Sequence, residues 1–373
     1  MAEAAARLLR SLATALLAVS SSALLLCALD RAGEWFAGHR ALVLLLPAAG
    51  WLTQWLYRRS GAGGMAEVLA DIADPLQRVS WKMAPAVLSG TLLTHVCGGS
   101  AGREGTAVQA GAACAARAGA DLRIGIAAGF GSVFGTPWAG LLYACEISGL
   151  RTAAPALLAH CLLAACTADA VARAWGAQHT VYRIARWPGA DALLWAAAAG
   201  LLCGGAAWLF HLLTNLARRY LSVLTGGAVV AAALATTGAW QFAGLGVASI
   251  AAAFTTPAGP FDWLAKLALT AVTVGSGFRG GEATPLFFIG ATLGSALSGP
   301  LGLPADWLAG LGFVAVFAAA TRTPLASTVL AVELFGPSAV PYALAACFSA
   351  DRAAALAQRL WRRGEPKTNG LGP

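Results

Sequence analysis

From Met83 to Leu360 the chain is a string of apolar segments that Gly and Pro cut repeatedly, and several of them are too short to cross a membrane. Ile124–Phe134 and Pro137–Ser148 fall short of the ~20 residues that a helix needs to span a bilayer core. Interrupted helices persist at membrane depth only where protein buries them or where they line a cavity. Composition puts them in a membrane: the 373 residues are 58% hydrophobic and 11% charged, against about 25% charged for soluble domains. Alanine and leucine dominate, which favours helices over the alternating strands of a barrel. The net charge of +8 does not imply nucleic acid, because the basic residues cluster at segment ends, as the positive-inside rule requires.

In chain order, Leu8–Leu29 reads as one spanning helix, longer than a signal-peptide core and without a convincing cleavage site. Asp30–Arg40 reads as a polar loop and Ala41–Tyr57 as a second span. After Arg58-Arg59 and Gly61-Ala62-Gly63-Gly64, Met65 begins a short amphipathic helix with Glu67 and Asp71, ended by Asp74-Pro75. If Arg7 and Arg10 lie inside, two spans bring Arg58, Arg59, Arg78 and Lys82 inside too. Met83–Val96, Thr106–Ala118, Ile124–Phe134, Pro137–Ser148 and Ala153–Ala174 follow as shorter segments. The polar stretch Trp175–Pro188, with Gln178, His179, Arg183 and Arg186, reads as a linker. Apolar segments resume near Ala192–Leu213, Leu221–Ala239, Leu264–Val274, Pro285–Leu297, Ala309–Ala320, Pro324–Phe335 and Pro341–Leu360. This gives a single all-α transmembrane transport domain over 1–373. It has a first repeat at about 41–174, a linker at about 175–190 and a second repeat at about 191–360. A flexible basic tail at 361–373 is too short for a regulatory domain.

Within this apolar chain one carboxylate stands out, in Gly98-Gly99-Ser100-Ala101-Gly102-Arg103-Glu104-Gly105-Thr106. An ionisable residue at membrane depth is costly and implies function. The run that follows reads as a helix, and a helix N-terminus with unpaired N–H donors attracts anions. Glu104 can compete with an anion for such donors, which makes it a gate on an anion path. A similar element, Gly280-Gly281-Glu282-Ala283-Thr284, lies in the second half. Downstream of each element, Phe130, Thr136-Pro137, Glu146 and Gly149 recur in register as Phe317, Thr323-Pro324, Glu333 and Gly336. Transporter repeats of this kind are often inverted, with the ion site at their interface. Eight scattered cysteines without a CxxC pair act as small hydrophobes, and five histidines show no metal-binding spacing. Nothing calls for a cofactor or metal.

These motifs resemble the CLC family of anion channels and proton-coupled antiporters. Gly102-Arg103-Glu104-Gly105 is similar to the family's G-K/R-E-G-P element, with Thr106 where proline is usual. Gly280-Gly281-Glu282-Ala283-Thr284-Pro285 falls where the family has its G-x-F-x-P element, and the two Thr-Pro helices resemble its paired downstream segments. The likeness runs from roughly Gly61 to Gly336 and implies a CLC-type fold of two inverted repeats with broken, re-entrant helices. Chloride-selective members carry a serine in a G-S-G-x-P element, where this chain has Gly61–Met65 and no serine. Met65, the Glu104 element and Thr284 together resemble the fluoride/proton antiporter branch. Chloride antiporters also keep an inner glutamate one position after the residue matching Glu146, and here that position is Ile147. No residue matches the inner-gate tyrosine, since Tyr342 falls too near the start of its helix.

The resemblance implies an antiporter that exports fluoride in exchange for protons, a homodimer in the lipid bilayer of a bacterial inner membrane. Glu104 would be the gating, proton-coupled carboxylate, flanked by Gly102 and Arg103. Thr284 would offer a hydroxyl to the anion, and Gly105 and Thr106 backbone N–H groups. Met65, Glu282 and Ala283 complete the expected anion surroundings. Other readings stay open for several of these residues. Thr284 could be a helix N-cap, Met65 could be packing, and Glu282 could form an ion pair with Arg279. Glu146 and Glu333 read better as structural carboxylates bonded to backbone or arginine. The rivals are a chloride/proton antiporter or chloride channel of the same family and, more remotely, an intramembrane serine protease using Ser100 or Ser276.

Overall fold

The computed structural model describes residues 2–76, 78–149, 154–177 and 179–364, and among them there is no β-strand. A helix α1 (Ala2–Gly38) leads through a 3-10 turn (Arg40–Leu45) into α2 (Leu46–Ser60) and α3 (Met65–Ala73). Next come α4 (Met83–Val96), α5 (Glu104–Ala118), α6 (Leu122–Phe134), α7 (Pro137–Ile147) and α8 (Pro155–Ala174). The second series is α9 (Leu193–Tyr220), α10 (Val223–Thr237), α11 (Val247–Ala253), α12 (Asp262–Gly275), α13 (Ala283–Ala296), α14 (Ser298–Leu301), α15 (Ala305–Thr321), α16 (Pro324–Phe335) and α17 (Val340–Gly364). Among the described residues α1, α8 and the segment Ala190–Tyr220 are long and apolar enough to cross a bilayer by themselves. Gln178 and the tail 365–373 lie outside the described residues.

The segment read as a polar loop after residue 29 is helical as far as Gly38. Leu29, Ala32 and Phe36 are buried and continue the core stripe of α1, while Asp30, Arg31 and Glu34 face outward. Polarity at that point marks the helix leaving the apolar layer, not the helix ending. Elsewhere local chemistry sets the boundaries. Pro137 and Pro324 open α7 and α16 at the first helical position, where a missing N–H costs nothing. Gly119 and Gly135 close α5 and α6 in the left-handed conformation, at φ 66° and 69°.

Each series is closed within itself at a glycine crossing. In the first, α5 crosses α6 at glycines: a Cβ on Gly125 would fall 2.0 Å from the Gly111 carbonyl oxygen. In the second series α13 crosses α15 the same way, with a Cβ on Gly290 falling 2.0 Å from the Gly312 oxygen. Small residues let these backbones touch, as membrane helix pairs require. Below the crossings each repeat caps the other. Glu333 of α16 accepts the first free N–H groups of α7, from Trp138 (3.1 Å) and Ala139 (2.8 Å). Glu146 of α7 accepts those of α16, from Leu325 (3.1 Å) and Ala326 (2.8 Å). A carboxylate on a helix N-terminus answers both its orphan donors and its dipole, so these glutamates bond to backbone. Tyr342 lies in the first turn of α17 and donates to the linker carbonyls of Pro188 and Gly189.

Candidate functional site

The glycine elements of the two repeats are clasped together. Gly102 N–H donates to Gly281 O at 2.6 Å, and Gly281 N–H returns to Gly102 O at 2.7 Å. The contact tolerates no side chain, since a Cβ on Gly281 would lie 2.6 Å from the Gly105 nitrogen. This clasp fixes the repeat register one residue away from the sequence expectation. Gly102 answers Gly281, so Arg103 answers Glu282, and Glu104 answers Ala283. Helix starts agree: α5 begins at Glu104 and α13 at Ala283, with Arg103 and Glu282 as their caps. The two glutamates are therefore not counterparts. Matching them by residue type misaligned the repeats.

Glu104 is 3% exposed. Its Oε2 accepts the backbone N–H of Thr284 at 3.0 Å, the Thr284 hydroxyl through a short bond, and the Arg103 N–H at 3.3 Å. Arg103 Nε lies 3.6 Å from Oε1, and the Arg103 guanidinium also reaches Asp30 of α1 at 4.0 Å. The carboxylate thus rests on the N-terminus of α13, a helix of the opposite repeat, where an anion would be held. The expected donors were the N–H groups of its own helix. Gly105 instead packs on Gly281, and the Thr106 hydroxyl pairs with Thr91 Oγ1 at 2.7 Å. Thr284 is not the N-cap of α13. Its hydroxyl accepts from Arg103 N–H at 3.3 Å and gives its hydrogen to Glu104.

Glu104, Thr284 and Arg103 line a cavity of about 40 Å³, against the ~10–15 Å³ that one water needs. Phe134, Phe287 and Phe313 form its apolar wall, with Phe287 and Phe313 stacked at 4.1 Å. Part of its lining comes from the linker, through His179, Thr180 and Tyr182, which the sequence reading treated as a mere connection. Aperiodic polar stretches give no signal for such a role. His179 Nδ1 lies 3.1 Å from Val133 O, and Nε2 lies 3.6 Å from Asp169. Burial pushes this imidazole below its ordinary pKa, with the Asp169 carboxylate opposing. Two further buried residues brace the approach. Lys266 donates to Phe242 O (3.0 Å) and Gly244 O (2.6 Å), fixing the chain that leads to α11, and His95 lies between Thr91 O (2.8 Å) and Ala101 O (3.0 Å).

The remaining predicted residues fall elsewhere. Ala283 is the buried first residue of α13. Glu282 precedes it, and its carboxylate has no hydrogen bond or ion pair among the described residues. The Glu282–Arg279 pair is absent: Arg279 stacks over the Tyr57 ring at 3.9 Å and approaches Gly64. Met65, at the start of α3, packs half-buried against the core and does not line the cavity. No group of ligating side chains suited to a metal exists among the described residues. Ser100 Oγ pairs with Thr270 Oγ1 at 2.9 Å, and Ser276 Oγ donates to Thr273 O at 3.2 Å, so neither serine has a base to activate it.

A carboxylate seated among anion donors, between two clasped repeats of broken membrane helices, defines an anion transport protein. The chain belongs to the voltage gated chloride channel family, whose model matches residues 43–355. It is 42% identical over 368 residues to a "Chloride/fluoride channel protein" of Pseudomonas syringae pv. tomato, covering 90% of this chain and 81% of that one. A "Putative chloride channel protein ClcB-like" of Ralstonia nicotianae is 29% identical over 363 residues, covering 83% and 80%. Among solved structures, one of a CLC-type fluoride/proton antiporter superposes with TM-score 0.88 at 31% identity, covering 94% of this chain and 96% of that one. A slow cyanobacterial Cl⁻/H⁺ antiporter, at 20% identity and TM-score 0.78 over 98% of each chain, shares the fold.

Proposed function

We propose that this protein is a fluoride/proton antiporter of the bacterial plasma membrane, acting as a homodimer with one pathway per subunit. The observation that carries the reading is Glu104 on the N-terminus of α13, bonded to the Thr284 N–H and hydroxyl. Ionised, the side chain fills the anion position and closes the path. Protonated, it gives up the charge that made those bonds strong, so an anion takes its donors while the carboxyl group swings aside with its proton. Anion and carboxylate cannot share one helix end, because two negative charges there repel. Anion movement is thereby tied to proton movement, which is exchange and not a leak.

Fluoride is favoured on three counts. Stripping water from so small an ion is expensive, and a hydroxyl plus backbone N–H at one point can offset that cost. The Gly61–Met65 segment lacks the serine of chloride-selective members. Two of the similar proteins carry fluoride in their descriptions. The chloride/proton antiporter or channel is the same-site alternative. Purified protein in liposomes separates them: fluoride efflux should greatly exceed chloride efflux under matched gradients, and equal or greater chloride flux would overturn the fluoride reading while leaving the fold intact.

In this reading Arg103 and Asp30 lie at the outer mouth, and the arginine-rich ends of α2, α9 and α17 face the cytoplasm. Glu104 then faces the outer mouth, and Glu282 is the second carboxylate, toward the inner side.

A further inference from the structure

A cleft of about 530 Å³ lies between the last turns of α9, the end of α15 and the last turns of α17. It shares no lining residue with the Glu104 cavity. Its volume falls within the ~300–1,000 Å³ of small-molecule sites. Part of the lining is apolar: Trp208, Leu216 and Trp361, with the two indoles edge to face at 6.1 Å. Another part is cationic, from Arg219, Arg322 and Arg362. No carboxylate lines the cleft among the described residues.

Arg322 is matched by Asp351: its Nη1 lies 2.7 Å from Asp351 Oδ1 and donates to Asp351 O at 2.8 Å. Arg219 and Arg362 have no ion pair among the described residues. Their charges therefore face the open cleft uncompensated. Arg322 is also the only described non-glycine residue with positive φ, at 61°. It closes α15 in the left-handed conformation, which glycine takes without strain. Such strain collects at ligand clamps and functional sites, and here it brings a guanidinium to the cleft. Depth fits a lipid. The 28 residues of α9 make about 42 Å of helix against ~30 Å of hydrocarbon. Arg218 and Arg219 sit in its last turn, so that end reaches the headgroup layer. Leu216 and Trp361 are exposed there.

We propose that this cleft binds an anionic phospholipid, with Arg219 and Arg362 on its phosphate and Trp208, Leu216 and Trp361 against its acyl region. A phosphodiester offers the acceptor oxygens that a guanidinium fork matches. Two unpaired arginines favour a headgroup that keeps its net negative charge, such as phosphatidylglycerol, over a zwitterionic one. A soluble phosphate would leave the apolar wall uncovered, whereas a lipid satisfies both halves of the cleft. Basic pockets between membrane helices take anionic headgroups in this way. Such binding requires a membrane but no particular transported ion. With the sidedness read above, the lipid belongs to the cytoplasmic leaflet.

Delipidated protein in neutral detergent, titrated with dioleoyl phosphatidylglycerol or dioleoyl phosphatidylcholine and followed by native mass spectrometry, tests this. An arginine near a lipid surface is worth roughly fivefold in affinity for anionic lipid, so wild-type protein should bind phosphatidylglycerol at least tenfold tighter. Arg219→Gln combined with Arg362→Gln should remove roughly tenfold or more of that affinity and leave phosphatidylcholine binding unchanged. Arg219→Lys with Arg362→Lys keeps the charge and should retain most of the preference. Arg58→Gln with Arg59→Gln takes the same charge from the end of α2 and should bind as wild type. Equal binding of the two lipids by wild-type protein would overturn the proposal, as would an equal loss in the α2 variant. Displacement of phosphatidylglycerol by millimolar inorganic phosphate would also overturn it, by giving the cleft to a soluble ligand.

Discussion

In the proposed antiporter selectivity turns on Thr284, whose backbone and hydroxyl hold the same carboxylate oxygen. Removing the hydroxyl in Thr284→Val deletes one hydrogen bond to a charged group, about 1.5–3 kcal/mol, so apparent fluoride affinity should fall by roughly ten- to a hundredfold. Thr284→Ser should stay near wild type. Fluoride efflux against concentration checks both, and an unaffected valine variant would remove the hydroxyl from the site. Arg103→Gln should weaken anion attraction without uncoupling, since arginine does not titrate in this range; the proton-to-fluoride ratio reports it. At this scale the sequence was informative where a residue type conflicts with its surroundings. Glu104 stands out because charge is rare in an apolar chain. Its partners were less legible, because a glutamate at the start of a helix invites the assumption that it serves that helix. Which donors Glu104 uses depends on the clasp between Gly102 and Gly281, a contact between residues far apart in the chain. The linker residues carry no local signal of their positions, whereas Lys266, a lone charge within Leu264–Val274, carried the same signal as Glu104 and was passed over.

The helices themselves were largely legible, since Pro at the start and Gly at the end act through neighbours in sequence. Met83–Val96 and Pro324–Phe335 form with the expected bounds. The misplaced end of α1 has the opposite cause: polar residues beyond Leu29 continue a helix whose buried stripe persists to Phe36. Pairing between elements gives two predictions. Because Glu146 and Glu333 cap each other's helices, Glu146→Ala and Glu333→Ala should each lower stability by about 0.5–2 kcal/mol, to similar extents. Thermal unfolding in detergent measures this, and a loss confined to one variant would contradict the reciprocity. Gly290→Ala drives a methyl group into Gly312 O and should cost roughly 1–3 kcal/mol as overpacking.

For the whole molecule, the placement of basic residues predicts sidedness. In intact right-side-out vesicles a cysteine at Glu34 should react with an impermeant maleimide, and one at Arg359 should not. The reverse pattern would invert the antiporter relative to its gradients. The two repeats meet where Glu104 of one occupies the helix end of the other, so coupling belongs to neither repeat alone. The most direct test records fluoride efflux with a selective electrode and proton uptake with a pH electrode, in the same suspension of proteoliposomes loaded with fluoride. Wild-type protein should take up protons as fluoride leaves. Glu104→Gln, similar in size but unable to titrate, should show no fluoride-driven proton uptake, whether or not fluoride still passes. Proton uptake at the wild-type ratio in Glu104→Gln would contradict the account.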